Sequence, residues 1–339
     1  MELKRFIESW PGWALLAGLV LSDLLSSPIS NEWCFWLWIA VVSGWFCAIV
    51  PIGLSGRLPL VPLVWLTALG VINWPNGLLY TFWGLFCLAL FTVGKPGLLR
   101  QNSRRVGVAY FAFVLFSGGN TNIQAMNIWL LFFLSSERSV LWSGAAISSL
   151  FITGSEGGIV AMIAGLIVER WGWRWLAPVG GIGLVLVTWL KGNDHSVLDR
   201  LTMWGRVVSD FSFFGHGFGV YQSGDWHQSH NLAMETAQIA GWPGLLALIA
   251  IAIWVTRRRN YLTDWSGLLA AFAVHSLVDN PHYGVPGAVI ALILGNIYIR
   301  GNQNGNPYRF TGLHWLPSRI RLYLLRVGKR EIAIPDSTG

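Results

Sequence analysis

A succession of long apolar runs, separated by short polar turns, limits most strongly how this chain can fold. The 339 residues contain twelve such runs, at about 11–27, 33–54, 58–74, 77–94, 105–117, 121–136, 139–154, 156–169, 173–190, 239–256, 265–280 and 285–300. A helix needs about 20 apolar residues to cross roughly 30 Å of hydrocarbon. Charged residues make up 12% of the chain, about half the share that is usual in soluble domains. We therefore predict an all-α polytopic membrane protein with about twelve transmembrane helices.

Four of these runs are short for upright spans. The pairs 105–117 with 121–136 and 139–154 with 156–169 are each compatible with two short spans or with one broken, partly re-entrant pair. Irregular backbone at membrane depth is tolerated only where protein or a water-filled cavity shields it. The sequence leaves both arrangements open.

The distribution of basic residues predicts the orientation. If the spans alternate from a cytoplasmic N-terminus, 20 of the 23 Lys and Arg residues fall in cytoplasmic segments, and the exceptions are Lys191, Arg200 and Arg206. Cytoplasmic loops carry an excess of basic residues, so both termini are predicted to be cytoplasmic. The one long polar stretch, at about 191–238, then lies on the outer face between spans nine and ten.

The chain is predicted to consist of a transmembrane domain at 1–300 and a cytoplasmic tail at 301–339. The tail opens with a turn-rich linker and continues as a basic amphipathic segment, which is typical of a helix on the inner leaflet. A nucleic-acid-binding arm is the alternative, and we favour the membrane. No Walker-type sequence is present, so we expect no ATP hydrolysis. The three cysteines lie in apolar runs, which argues against a disulfide framework or a zinc site.

The long polar stretch and its C-terminal border carry the residues best suited to chemistry. His230 and Asn231 are followed nine residues later by Gly241 and then Gly244. Histidine exchanges a proton near neutral pH and can act as a base. Arginine is permanently charged and binds phosphate through two parallel hydrogen bonds. A base and an arginine at the outer surface suit a substrate that carries a lipid-linked diphosphate.

Each candidate also has a structural interpretation. His230 can be an ordinary interfacial histidine, and Arg200 and Arg206 can anchor a loop to anionic head groups. His216 lies between glycines and is better explained as a turn residue. His227 lies three residues before His230, but no third metal ligand is obvious. The two glycines after Asn231 are predicted at positions where close helix packing needs small side chains.

The stretch from Arg200 to Gly244 resembles the O-antigen ligase and polymerase superfamily of bacterial membrane glycosyltransferases. The resemblance rests on Arg200-xxx-Trp204, on the glycine turn at 215–219 and on the sequence His-Asn-x9-Gly-xx-Gly at 230–244. The sequence His-Ser-Leu-Val-Asp at 275–279 is also similar. The resemblance implies transfer of a glycan from an undecaprenyl-diphosphate carrier to an acceptor, at the periplasmic face of the inner membrane. It implies no metal and no cofactor.

The resemblance also implies roles for individual residues. The catalytic residues would be His230, as the base, and Arg200, which would stabilise the departing diphosphate. The substrate-binding residues would be Arg206, Asn231, Trp204, Gly217, Glu235 and Asp279. The acceptor is lipid A-core for a ligase, which we favour, or a second carrier-linked glycan for a polymerase. Membrane lipids are the other expected partners.

One position departs from the family pattern. Relatives often carry Thr-x-Ser-Arg-Gly at the start of span eight, where this chain has Glu156 in place of the arginine. Three interpretations stay open: Arg206 or Lys191 substitutes for the arginine, the donor is unusual, or the protein is an inactive, non-catalytic membrane scaffold. A transporter of lipid-linked sugars is a further alternative, but transporter sites lie near the bilayer midplane. The polar residues of this chain concentrate in one outer stretch instead.

Overall fold

The computed structural model of the chain describes residues 17, 19–20, 60–73, 77–93, 97–117, 120–135, 139–190, 195–218, 230–258, 264–279 and 284–303. Within these ranges the secondary structure is helical and contains no strand, which confirms the prediction of an all-α fold. The predicted spans at 11–27 and 33–54 and most of the tail at 301–339 lie outside the described residues, apart from a few positions.

An α-helix is present at each of the ten apolar runs from residue 58 onward. These helices are α1 (Leu60–Ile72), α2 (Gly77–Val93), α3 (Gly97–Phe116), α4 (Thr121–Leu134), α5 (Val140–Thr153), α6 (Glu156–Trp171), α7 (Leu176–Leu190), α9 (Leu232–Arg257), α10 (Ser266–His275) and α11 (Gly284–Gln303). The polar stretch contributes α8 (His195–Ser209), and a 3-10 turn at Trp173–Trp175 precedes α7. Among the described helices, only α9 has both the length and the apolar composition of a membrane-spanning helix. The count of twelve spans stays a prediction.

Both ambiguous pairs of runs form separate helices, because each second helix has its own N-cap. The side chain of Asn120 accepts hydrogen bonds from the backbone N–H groups of Asn122 and Ile123 and so caps the start of α4. Gly154 ends α5 in a left-handed conformation (φ 67°), and the Ser155 hydroxyl accepts a bond of 3.2 Å from the Gly158 N–H. Such caps satisfy the unpaired N–H groups of a first turn.

Helix α4 lies at the centre of the fold. Every residue from Gln124 to Leu134 is buried, and the helix packs against α3, α5, α6 and α10. The ring of Phe133 fits between two glycines: a Cβ atom at Gly165 would lie 2.3 Å from it, and one at Gly267 would lie 2.6 Å from it. These glycines therefore allow α6 and α10 to approach the same face of α4.

The chain divides into two compact units, Met1–Ile297 and Tyr298–Gly339. The first unit contains the helices named above up to the body of α11. Only residues 298–303 of the second unit are described, and they are helical. The candidate functional residues all belong to the first unit.

Candidate functional site

The C-terminal end of α10 and the N-terminal end of α9 are joined by two hydrogen bonds. The last carbonyls of a helix have no partner within the helix. The backbone N–H of Leu232 donates to the Ser276 carbonyl over 2.9 Å, and the side-chain amide of Asn231 donates to the Leu277 carbonyl over 2.8 Å. The Asn231 side-chain oxygen meanwhile caps α9. Helix α9 therefore starts at Leu232, two residues after His230.

Arg200 reaches the same helix end from α8. Its Nη1 donates to the Val278 carbonyl over 2.9 Å. The guanidinium has five N–H donors in all, and its positive charge lies where the helix dipole of α10 is negative. Trp204, one turn further along α8, is half-buried like Arg200. Arg200 is therefore held at the end of α10 with donors to spare.

Arg206 is placed differently from Arg200. Six residues separate the two arginines, which corresponds to about 120° around a helix. Arg206 is exposed, whereas Val207 beside it is buried. The described structure does not bring Arg206 to the end of α10. The expected role of Arg206 in supporting Arg200 is therefore not accompanied by a contact among the described residues.

The His230 and Asp279 side chains lie close together, near the residue that Arg200 contacts. His230 Nδ1 lies 3.4 Å from Asp279 Oδ1, and the exposed fractions of the two side chains are 40% and 12%. An ionised carboxylate can only accept a hydrogen bond, so a bond between these two atoms requires the proton to be on Nδ1. The other ring nitrogen, Nε2, then carries the lone pair that a base needs. A bond of this length is long for a hydrogen bond but common in catalytic sites without substrate.

The backbone of His230 is strained. It is the one described residue other than glycine with a positive φ, at 50°. Positive φ is uncommon for such residues, and strained conformations of this kind cluster at functional sites. Asparagine, the next residue, is extended and caps α9. The chain therefore turns sharply at His230 and directs the ring toward the end of α10.

A second histidine, His275, is buried at the last position of α10, one helical turn before Asp279. His275 is 1% exposed, and its Nδ1 accepts a hydrogen bond of 3.0 Å from the indole N–H of Trp129 on α4. Its carbonyl accepts the backbone N–H of Asp279 over 2.9 Å. The sequence places His275 one helical turn before Asp279, but Trp129 is 146 positions away. No local pattern connects these two residues, and this contact was not predicted.

The glycine turn packs into a break of α9. Gly241 has φ 55° and ψ −146°, and Pro243 has no N–H to donate to the carbonyl four residues earlier. That carbonyl, of Ile239, accepts the Gly217 N–H over 2.9 Å instead. The neighbouring bonds run from His216 N–H to the Gln238 carbonyl (2.8 Å) and from Trp242 N–H to the Phe213 carbonyl (3.0 Å). The turn thus replaces the helical partners that the break removes.

This arrangement corrects the expectation for Gly241 and Gly244. Close packing of a neighbouring helix was expected at both positions. A Cβ atom at Gly241 would instead lie 2.2 Å from the Phe213 carbonyl oxygen of the turn, and one at Gly244 would lie 2.5 Å from Ala240 of the same helix. Gly241 is needed because the turn fills the break of α9, and Gly244 because a side chain there would meet Ala240 and Thr236 of the same helix.

The remaining predicted residues of the glycine turn have structural contacts. Gly217 is buried (φ 78°), and a Cβ atom there would lie 2.8 Å from Ile72 and 2.9 Å from the Leu69 carbonyl. His216 Nε2 lies 3.0 Å from the Asp210 carbonyl, in agreement with its interpretation as a turn residue. The side-chain amide of Asn73 donates to the Phe218 carbonyl over 2.9 Å. The contacts of Gly217 are therefore with α1 and α9.

Two acids border the cluster. Glu235 is 1% exposed and lies one turn after Asn231 in α9. Glu156 lies in the first turn of α6, where the helix dipole favours a negative charge. The residue after it, Gly157, lies against the end of α10, since a Cβ atom there would be 2.8 Å from Val278. The position at which the chain departs from the family pattern is therefore next to the site.

Within the part of the chain that the structure describes, no three His, Cys, Asp or Glu side chains come together as ligands for a metal ion. His227 lies outside that part. The arrangement at the end of α10 offers a cation, a partly exposed imidazole and an orienting carboxylate. Such a set suits proton transfer next to a bound anion.

Comparison of the chain with protein-family models, with curated proteins and with solved structures finds no significant match.

Proposed function

We propose that the protein is a membrane glycosyltransferase of the O-antigen ligase type, which moves a glycan from undecaprenyl diphosphate to a lipid A-core acceptor. The observation that carries this proposal is the meeting of Arg200, His230 and Asp279 at the end of α10. These residues come from three segments, and the contacts join α8 to the end of α10 and the start of α9 to that same end. A phosphate-binding cation next to an oriented base is the set that such a transfer needs.

In the proposed reaction, the donor diphosphate binds to Arg200. His230 Nε2 takes the proton from an acceptor hydroxyl, while Asp279 holds the Nδ1 proton and stabilises the imidazolium that forms. The acceptor oxygen bonds to the anomeric carbon as the bond from that carbon to the phosphate oxygen breaks. Arg200 stabilises the charge that develops on the leaving diphosphate, which is electrostatic catalysis. A single displacement inverts the anomeric centre, and the residues named require no metal.

The proposed membrane location is supported by apolar side chains on the surface. Val64, Phe116, Val140 and Leu141 are between 59% and 90% exposed, which is unfavourable in water for a surface of this extent. Several described helices share this feature, and α9 meets the length and composition of a span. We propose that these faces contact lipid and that the helices are part of a twelve-span fold.

The proposed topology is supported by which residues meet. Ser155 and Asn122, both assigned to the outer face, are joined by a hydrogen bond of 3.0 Å. Arg100 and Asp264, both assigned to the inner face, lie 3.6 Å apart. Contacts of this kind support alternating spans, because each pair belongs to one end of the helices. From the bias of the basic residues we propose cytoplasmic termini in a bacterial inner membrane, with the Arg200–His230 cluster on the periplasmic face.

Glycan attachment in cells tests the proposal. The variants are His230→Ala and Arg200→Ala, with Arg206→Ala as the matched control, each expressed in a host that lacks its own O-antigen ligase. Gel electrophoresis of lipopolysaccharide then reports attachment to lipid A-core as a ladder. We expect the wild type and the control to form the ladder and the two other variants to lose it, while carrier-linked polymer still accumulates.

The other outcomes separate the alternatives. Loss of the carrier-linked polymer itself in both variants would favour a polymerase. Undiminished ladders in both variants would contradict a catalytic role for the cluster. A wild-type protein without transfer, despite folding, would favour the non-catalytic scaffold that Glu156 also fits.

A further inference from the structure

Helix α8 has an exposed apolar stripe that none of its roles in the site uses. Leu198 and Leu201 are each 46% exposed and Val208 is 65% exposed. Their spacing of three and seven residues places them on one side of the helix. The buried residue Val207 and the half-buried Arg200 belong to a different side. The stripe is therefore not the surface by which α8 packs against the protein.

The remaining side of α8 is polar. Asp199, Thr202, Arg206 and Ser209 are all exposed, and the helical period groups them between the apolar stripe and the buried side. A helix in water around a globular core has one apolar and one polar side. A second, exposed apolar side beside a polar one is typical of a helix that lies in the membrane interface.

The apolar stripe leads into two exposed aromatic residues. Phe213 and Phe214 are 61% and 64% exposed, and their rings pack edge to face at 4.9 Å. The Phe213 carbonyl accepts the backbone N–H of Trp242, which is 48% exposed and lies on α9. Aromatic side chains concentrate at the level of the lipid head groups. The apolar surface thus continues from α8 onto α9.

On α9 this surface continues along one face. Trp242, Leu246, Ile249 and Ile253 are separated by four, three and four residues and are 47% to 59% exposed. This spacing is that of one helix face. Because α9 is the described helix with the length and composition of a span, this face is the surface that a bilayer would cover. The apolar stripe on α8 lies next to the N-terminal end of this α9 face, which is its outer end in the proposed topology.

We propose that α8 lies in the outer membrane–water interface, with Leu198, Leu201, Val208, Phe213 and Phe214 inserted among lipids. The proposal rests on the membrane location given under the proposed function. It has one consequence for that function: Arg200, on the buried side of the same helix, is held at the depth of the lipid head groups. A lipid-linked diphosphate in the outer leaflet then reaches Arg200 without leaving the plane of the membrane.

Fluorescence quenching in three single-cysteine variants of the full chain tests whether α8 lies in the membrane interface. Cys34, Cys47 and Cys87 are first replaced by alanine. Val208→Cys tests the stripe, Thr202→Cys reports the polar side of the same helix, and Ile249→Cys reports the lipid-facing side of α9. Each protein is labelled with an environment-sensitive NBD dye and reconstituted into phospholipid vesicles. A spin-labelled phosphatidylcholine quenches from within the bilayer, and iodide quenches from water.

We expect the label at Val208 to be quenched by the spin-labelled lipid almost as strongly as the label at Ile249, with emission shifted to the blue. The label at Thr202 should be quenched by iodide several-fold more than the label at Val208. Equal iodide quenching at Val208 and Thr202 would overturn the proposal, and so would a Val208 label shielded from both quenchers, which would indicate a protein partner or a second copy. A label at Ile249 without lipid quenching would contradict the membrane location itself.

Discussion

Two of the places at which the described helices leave backbone carbonyls without helical partners are satisfied in different ways. At the end of α10, the carbonyls of Leu277 and Val278 accept bonds from the side chains of Asn231 and Arg200. At the break of α9, the carbonyls of Gln238 and Ile239 accept bonds from backbone N–H groups of the glycine turn. The first place contains charged side chains, and the second contains buried glycines.

The difference suggests a division of the region from Arg200 to Gly244: the first place is proposed to act on the substrate, and the second place builds the fold. The pair at the first place is loose, with 3.4 Å between His230 and Asp279, and 40% of the imidazole side chain is exposed. The second place is closely packed, since no side chain fits at Gly241 or Gly217 without displacing backbone atoms. Substitutions at the two places should therefore separate activity from stability.

The largest effect is expected for His230→Asn. Loss of the general base should lower the transfer rate by about 10²- to 10⁴-fold. Asparagine tolerates a positive φ better than most residues, so thermal unfolding of the purified variant should not shift downward. If the transfer rate fell and the unfolding temperature fell with it, His230 would be mainly structural.

Asp279→Asn should lower the transfer rate by roughly 10- to 100-fold, because the base remains but its orientation is no longer fixed by a carboxylate. The initial rate of transfer, measured with the wild type alongside, checks this. An unchanged rate would contradict an orienting role for Asp279.

Gly241→Ala should act on stability first. The backbone at φ 55° and ψ −146° is accessible almost only to glycine, and strain of this kind costs about 1–3 kcal/mol. The added Cβ atom would also displace the turn from the break of α9. A lowered Tm with an initial rate per folded molecule within a few-fold of wild type is the expected result. Full stability with lost transfer would instead assign the turn to the substrate.

The smallest effect is expected for Gly205→Ala, the matched control. Gly205 is an exposed helical glycine in α8, and a Cβ atom added there would meet no neighbouring segment within 4 Å. Alanine in place of a helical glycine stabilises a helix by about 0.5–1 kcal/mol. The Tm should therefore stay or rise slightly, and transfer should be unchanged. A loss comparable to that of Gly241→Ala would mean that the difference between the two places is not one of packing.

The positions of the helices could be predicted from the sequence, but the contacts between distant helices could not. Apolar runs and caps such as Asn120 have local signals, so the described helices could be placed, and the start of α9 next to His230 follows from its N-cap. The break at Gly241 was not predicted, although Pro243 is a local signal for one. The turn that fills the break lies more than twenty residues away in the sequence and has no local signal there. The Trp129–His275 contact joins distant segments and has no local signal.

The two arginines show the same limit. Both lie in one amphipathic helix, and their residue type alone suggests equal suitability for a diphosphate. The resemblance favours Arg200 through its spacing to Trp204, and in the structure the contact of Arg200 with Val278 and the exposure of Arg206 separate the two side chains. Helical spacing permits the two side chains to diverge, but the side that faces the protein depends on packing against the end of α10.

This distinction gives the most direct test of the central claim, that the cluster at the end of α10 performs the transfer. The initial rate is measured for purified Arg200→Ala and Arg206→Ala in lipid nanodiscs, with an undecaprenyl-diphosphate-linked glycan as donor and lipid A-core as acceptor. We predict a loss of about 10²- to 10³-fold for Arg200→Ala, the size expected for removing one stabilising donor from a leaving group, and a rate close to wild type for Arg206→Ala. Equal rates for the two variants would contradict the claim.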